Sequence, residues 1–541
     1  MPYSSGAHES GSMRSKRAPS IRRPKAALVS LGTVVVGAIA VVVGLSACGT
    51  LGPGAIDTSG EVAFDTPLAI PPLAPSSIDA SGERVFDLTA TVGATEFTPG
   101  TKTETWGINQ SYLGPTIVAA KGEQVRVNVA NQLDVPTTVH WHGMHLPARM
   151  DGGPHQMVAP GATWHPKWTI DQPAATLWYH PHPHGETEHQ VEMGLAGMVI
   201  LQDDAEDALN LPREYGVDDI PLIVQDKRFD EAGQFTTDER GFAGPIGDQV
   251  LVNGTLGPYL EVTTDVVRLR LLNGSSARVY NFAFEDGRSF DLIGTDGGLL
   301  TAPLPTDGIR LSPGERAEVL VRLVPGETAT LRSTPPELGL PGPIAASNTG
   351  GDTLDVLQLR AASNLRSLGD MPTALAAIDR MNEDEATVDR SFQLDGTQIN
   401  QRGMDMGRID ETVEVGSTEI WTVRNGMSMP HSFHVHDVQF QVLTIDGREP
   451  PAALAGWKDT VYLEPNIDYR LIMTFNDYTD PEFPYMYHCH LLAHEDSGMM
   501  GQFVVVEPGQ KAGQPPTDHD SASPSGASGS GPRAKEIHHE H

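Results

Sequence analysis

Near the C-terminus, in "YHCHLLAHEDSGMMG" (487–501), Cys489 stands between His488 and His490, with His494, Met499 and Met500 close behind. The same alternation occurs at His140-Trp141-His142, His180-Pro181-His182 and His434-Val435-His436, the last preceded by His431. The chain has 20 histidines, yet none falls between His189 and His431, which a scatter of core or surface residues would not produce. On a strand, residues i and i+2 point to one side and i+1 to the other. Each His-x-His pair therefore aims two imidazoles at one place, and the four pairs can bring eight nitrogen ligands together at an interface. His488 and His490 face that cluster, so Cys489 faces away and needs partners of its own. His431, His494 and Met499 suit it, since two imidazoles, a thiolate and a weak axial thioether describe a blue-copper electron-transfer site. Cys489 then becomes the covalent bridge from one copper to a cluster on the opposite face of the same strand.

The elements that must carry these groups appear as repeats. "VRVNVAN" (125–131), "VRLRLLN" (267–273) and "EIWTVRN" (419–425) are similar strand-like runs, each ending in Asn. Val125, Val127 and Val129, like Val267, Leu269 and Leu271, alternate with polar residues at the period of a half-buried strand. Gly and Pro are frequent between such runs and long helical patterns are few, which predicts an all-β chain of three consecutive β-sandwich domains. Their expected spans are 75–207, 208–364 and 396–508. "WYHPH…GLAGMVIL" in the first aligns with "MYHCH…GMMGQFVVV" in the third, and the second supplies no ligand. Residues 48–74 read as an N-terminal linker, 365–395 as a partly helical linker, and Asn253-Gly254 and Asn273-Gly274 as turns. The Pro/Ser/Gly-rich tail 509–541 is expected to be disordered, with solvated His519, His538, His539 and His541.

Arg14 to Lys25 carry six basic residues, and an uncharged apolar run follows from Ala26 to Ala47, as in a secretory signal. The run is long enough to remain as an uncleaved anchor. However, "Leu45-Ser46-Ala47-Cys48" resembles the bacterial lipobox, which implies lipidation of Cys48 and an exported protein anchored to the cytoplasmic membrane. Arg22-Arg23 hints at twin-arginine export, and Pro24-Lys25 departs from that pattern. Loss of residues 1–47 removes those six bases and Glu9, taking the formal net charge from −33 to −38. That charge argues against nucleic-acid partners and favours the gathering of cations or plain solubility. With Cys48 lipidated, no intramolecular disulfide is possible, so Cys489 is either an inert core thiol or a ligand.

Taken together, "HWHG", "HPH", "HSFHVH" and "HCHLLAHEDSGMM" resemble the multicopper oxidases, in their three-domain bacterial laccase and cuprous-oxidase branch, over residues 75 to 507. The resemblance implies cupredoxin-like Greek-key domains and four coppers per chain. It implies a type 1 site at His431, Cys489, His494 and Met499, and a type 2 site at His140 and His434. One type 3 copper would fall to His142, His180 and His490, the other to His182, His436 and His488. Pro181 stands where Cys489 stands in the third domain, so only the third would hold a type 1 site. Asp151 and Glu495 match acids that the family is thought to use to relay protons. The implied reaction couples one-electron oxidation of a small reductant to four-electron reduction of O2 to water.

For the reductant, Met427 and Met429 precede His431, the ligand expected at the substrate-facing edge, and thioethers suit Cu(I). Cu(I) detoxification is the first reading and oxidation of phenols, or of Fe(II), the alternative; a monomer is expected. A copper store or electron carrier would need no eight-histidine cluster, and a copper nitrite reductase lacks four His-x-His pairs in one chain. His145, His155, His165, His184 and His189 are left without copper because the ligand set is already complete.

Overall fold

The computed structural model of the chain describes residues 55–237 and 242–516. Cys48, the leader and the four tail histidines fall outside those residues. Among the described residues no helix is long and apolar enough to cross a membrane. The chain builds three consecutive pairs of β-sheets, each closed on its own apolar core. Phe86, Val127 and Trp141 lie in the first core, Leu222, Leu269 and Val319 in the second, Trp421, Phe433 and Phe503 in the third.

The repeated runs are the strands Gln124–Asn131, Val266–Asn273 and Thr418–Asn425. Their terminal Asn has one job in all three. Asn131 donates from Nδ2 to the carbonyls of Val135 and Val158, Asn273 to those of Arg278 and Leu311, Asn425 to those of Met429 and Leu463. Each Oδ1 accepts from the N–H two residues on, at Leu133, Ser275 and Met427. A buried turn would otherwise leave these backbone groups unpaired. Asn273-Gly274 is thus a clamp of this kind. Asn253-Gly254, at φ 51° and 75°, is the hairpin turn between Gln249–Val252 and Thr255–Leu256.

Three expectations need correction. Val266–Asn273 is buried on both faces, because Arg268 and Arg270 are packed against the first sandwich and not solvated. Arg270 pairs with Asp219 at 2.7 Å and Glu318 at 3.0 Å, and donates to Thr176 of the first sandwich. The linker 365–395 contains no α-helix; its one helical turn is the 3-10 segment Glu383–Glu385, and Val388–Asp395 already belongs to the third sandwich, paired with Thr418–Asn425. Its backbone bonds run outward instead of along a helix: Leu375 and Ala376 donate to the carbonyls of Thr301 and Leu300. Finally, the tail is docked as far as Pro516, with Gly513 donating to the Pro481 carbonyl and His155 Nδ1 meeting the Pro516 carbonyl at 3.1 Å.

Candidate metal centres

In the first sandwich the short strand His140–His142 lies antiparallel to Ala175–His180, placing His180 opposite His140. In the third, His431–Val435 lies antiparallel to Tyr485–Cys489, placing His434 opposite His488. Pairing brings each sandwich's two histidine pairs to one edge, and the two edges meet. His140 stacks on His436 and His142 on His434, with ring centroids 3.8 Å apart in both cases. All eight rings are buried.

Seven of the eight imidazoles are held from behind, so that the other nitrogen faces the middle; Nδ1 of His490 has no such partner. Asp151 accepts from Nδ1 of His436 at 2.8 Å, and its main-chain carbonyl lies 3.0 Å from Nδ1 of His140. Glu495 lies 3.3 Å from Nδ1 of His182 and 3.2 Å from Nδ1 of His488. The Asp459 carbonyl takes Nδ1 of His434 at 2.8 Å, while its carboxylate takes Nε2 of His142 at 3.1 Å. Such partners select the tautomer and aim of a metal-binding imidazole. His180 and His488 turn Nδ1 to the carbonyls of Pro181 and Cys489, the same local bond in the two repeats.

The inward nitrogens crowd together. Nε2 of His488 lies 3.2 Å from Nε2 of His182 and 3.3 Å from that of His436, and Nε2 of His490 lies 3.2 Å from Nδ1 of His142. Ligands about 2.0–2.1 Å from one ion, as imidazoles are in zinc sites, sit about 3.3 Å from each other. Nε2 of His140, His180 and His434 are buried with no hydrogen-bond partner, a state costing about 1–3 kcal/mol per group unless something satisfies it. Burial, reinforced by neighbouring imidazoles, holds His142, His180, His434 and His436 well below the usual histidine range, and His182 and His490 at about 3. Their lone pairs are therefore free for a cation at neutral pH. The donor set fits soft or borderline metal ions such as copper.

On the other face of Tyr485–Cys489, Sγ of Cys489 lies 3.6 Å from Nδ1 of His431 and 3.7 Å from Nδ1 of His494, and those two nitrogens are 3.2 Å apart. Met499 is buried beside them, its carbonyl accepting from the Cys489 N–H. Burial pushes the Cys489 thiol up to about 12, so a bound cation is what would hold it as a thiolate. His494 donates from Nε2 at 2.6 Å to the carbonyl of Phe242, a residue of the second sandwich that is 73% exposed.

The structure thus gathers all twelve residues expected around metal, and sets Asp151 and Glu495 against the backs of the cluster histidines. It differs at the edge expected to meet substrate: His431 is fully buried. Met427, by contrast, is 44% exposed, with Sδ accepting from the Gly396 N–H, and Met429 is half-buried. The other first-domain histidines have separate tasks, among them His145 between Asp437 and Asp477. Asp459 and Arg316 were missed. Asp459 is brought in only by the pairing of Thr460 with His434, and Arg316 lies in the sandwich that has no histidine to mark it.

Models of the multicopper oxidase family match residues 89–206, 225–328 and 371–509. A multicopper oxidase of Staphylococcus haemolyticus is 36% identical over 425 residues, 77% of this chain and 88% of that protein. The cell division protein FtsP of Escherichia coli is 36% identical over 473 residues, 85% and 97% of the two chains. Among solved structures, a laccase-like multicopper oxidase of Ochrobactrum, with oxidase activity towards lignin model compounds, has a TM-score of 0.74 at 36% identity, covering 81% of this chain and 100% of that one. A metallo-oxidase of Campylobacter jejuni has a TM-score of 0.73 at 28% identity, covering 84% and 99%.

Proposed function

The chain belongs to the multicopper oxidases, oxidoreductases that use copper, and on that premise we propose that it couples oxidation of Cu(I) to reduction of O2 to water in copper detoxification. Its ligand residues would be His431, Cys489, His494 and Met499 for type 1 copper and His140 with His434 for type 2. The two type 3 ions would fall to His142, His180 and His490, and to His182, His436 and His488. Four coppers bound in this way supply the redox chemistry: four one-electron oxidations of substrate balance the four electrons and four protons that turn O2 into two waters.

The observation that carries this reading is the single strand on which Cys489 turns one way and His488 the other. It gives electrons a route of bonded atoms from the thiolate through the backbone to the cluster imidazoles. Glu495 and Asp151, each in contact with cluster histidines, would hold and pass the protons. Burial of the cluster histidines would exclude bulk water from the site where O2 is reduced.

Cu(I) is favoured by the exposed thioether of Met427 with Met429 close behind it, and by a strongly negative chain that concentrates cations. Oxidation of phenols is the second reading, supported by the likeness to the Ochrobactrum laccase. O2 uptake with Cu(I), a phenol and Fe(II) under one set of conditions separates them. Replacing Met427 and Met429 together with Leu keeps the apolar volume; it should lower kcat/KM for Cu(I) about tenfold or more while a bulky phenol is oxidised as before. Unchanged Cu(I) kinetics would favour the laccase reading. The leader and Cys48 further support export and a lipid anchor, which the mass of the mature N-terminal peptide tests.

A further inference from the structure

The second sandwich holds no histidine of the cluster, yet one of its side chains reaches the cluster's edge. Arg316, on the strand Arg316–Arg322, is fully buried where all three sandwiches meet. All five of its N–H donors are used. Nε donates to the Thr176 carbonyl of the first sandwich at 2.9 Å. Nη1 donates to the carbonyl of Gly314 and to Oδ1 of Asp459, at 3.0 and 2.7 Å; Nη2 donates to the carbonyl of Asp296 and to Oδ2 of Asp459, again at 3.0 and 2.7 Å. Asp459 belongs to the third sandwich. Its Oδ1 also accepts from Nε2 of His142 and from Thr460, and its Oδ2 from Gln439. Asp296 lies farther from the guanidinium, with Oδ1 3.7 Å from Nη1, and its Oδ2 pairs with Lys458 at 2.9 Å, while Glu315 pairs with Lys458 at 2.7 Å.

Two glycines make room for this arrangement. At Gly143, the last residue of "HWHG", φ is +84° and a Cβ would stand 2.6 Å from Asp459 Oδ2 and 2.7 Å from Arg316 Nη2. At Gly314, also at +84°, a Cβ would press on the ring of His490 at 3.0 Å. The position of Asp459 is chemically ambiguous: its carboxylate and the nitrogens of His142 and His434 lie within 4.8 Å of one another, close enough to share a metal ion.

We propose that Arg316 is a positioning residue of the cluster: by claiming both carboxylate oxygens of Asp459 it keeps that group an acceptor for His142 and prevents it from becoming a copper ligand. A guanidinium suits the task because its planar fork engages both oxygens at once, which the ammonium of Lys cannot do. The copperless sandwich thereby decides which nitrogen of His142 faces the metal. The inference rests on the proposed copper assignment and can fail without it.

The test compares the copper-loaded wild type with Arg316→Lys, Arg316→Met and the pair Arg316→Met with Asp459→Asn, in which the new amide Oδ1 still accepts from His142. Copper per chain, blue absorption, the type 2 electron paramagnetic resonance signal and kcat against KM for O2 are read for each. Arg316→Lys and Arg316→Met should keep the blue absorption, which also reports a folded third sandwich. Their type 2 signal should change, and kcat should fall about 10–100-fold, the usual cost of losing a partner behind a metal ligand. The double variant should recover a type 2 signal closer to that of the wild type, since no freed carboxylate remains. A wild-type type 2 signal and kcat in both single variants would overturn the proposal, even if their melting temperatures fall. So would a double variant no better than Arg316→Met. A wild type that binds no copper at the cluster would instead overturn the underlying assignment.

Discussion

The two faces of Tyr485–Cys489 carry centres built on opposite plans. The histidine cluster is a joint product of two sandwiches, its rings stacked across their interface and braced by a third. The centre at Cys489 belongs to one sandwich, and among the described residues its ligands take one bond from outside, the Phe242 carbonyl on His494. A shared centre depends on how domains sit together, whereas a private one depends on the register of two strands and one turn. Damage to the domain interface should therefore silence the cluster and spare the blue centre, and damage within the third sandwich should reach both.

The largest expected effect breaks the link between the two faces. Cys489→Ser should abolish the blue absorption and the oxidase activity together, since a hydroxyl cannot supply the thiolate bond, while the type 2 signal persists. Intense blue colour in that variant would refute the assignment of Cys489.

Next come the acids behind the cluster. Glu495→Gln and Asp151→Asn should retain all coppers yet lower kcat about 10²–10⁴-fold, the usual worth of a positioned proton donor or acceptor. The amides keep the shape and a hydrogen bond to the imidazoles but do not carry protons. Wild-type kcat in both variants would reduce these acids to structural partners.

A smaller effect comes from the repeated turn clamp. Asn425→Ala and Asn273→Ala each leave two carbonyls and one N–H without their partner, both carbonyls being buried at Asn273 and one at Asn425. The cost should be about 1–3 kcal/mol on denaturant unfolding. Because Asn425 lies six residues before His431, only its loss should also perturb the blue band. Equal spectra for the two variants would show that the turn does not hold the Cys489 centre.

The smallest is a pH effect at the first–third contact. Burial lowers the affinity of His145 for its proton, but Asp437 and Asp477, each at 2.8 Å, outweigh it and raise the group to about 9. A raised pKa means that this contribution is complete below the unfolded value of about 6.5 and is lost as pH rises through about 9. His145→Gln should therefore flatten the fall in melting temperature between pH 7 and 10. A parallel decline in variant and wild type would contradict this.

Much of both centres was legible because the signals are local. Alternation along a strand decides which way His488, Cys489 and His490 point, and an unbroken histidine-free stretch marks the second repeat as ligandless. What escaped is nonlocal. Arg268 and Arg270 alternate like solvated residues and are buried only because another sandwich covers that face. The Ala-rich linker has helical composition, but sheet edges offered its backbone other partners. Asp459 arrives beside His434, 25 residues away, through the strand pairing of Thr460, and its contacts to His142 and Arg316 span 317 and 143 residues, which no short-range pattern records.

The central claim is that one chain holds both centres and uses them together, and metal content measured alongside O2 consumption tests it most directly. The purified, copper-loaded chain should contain four coppers, show an intense blue band and a separate type 2 signal, and consume one O2 for every four Cu(I) oxidised. One copper per chain, with a blue band and no O2 uptake, would contradict the account and leave an electron carrier.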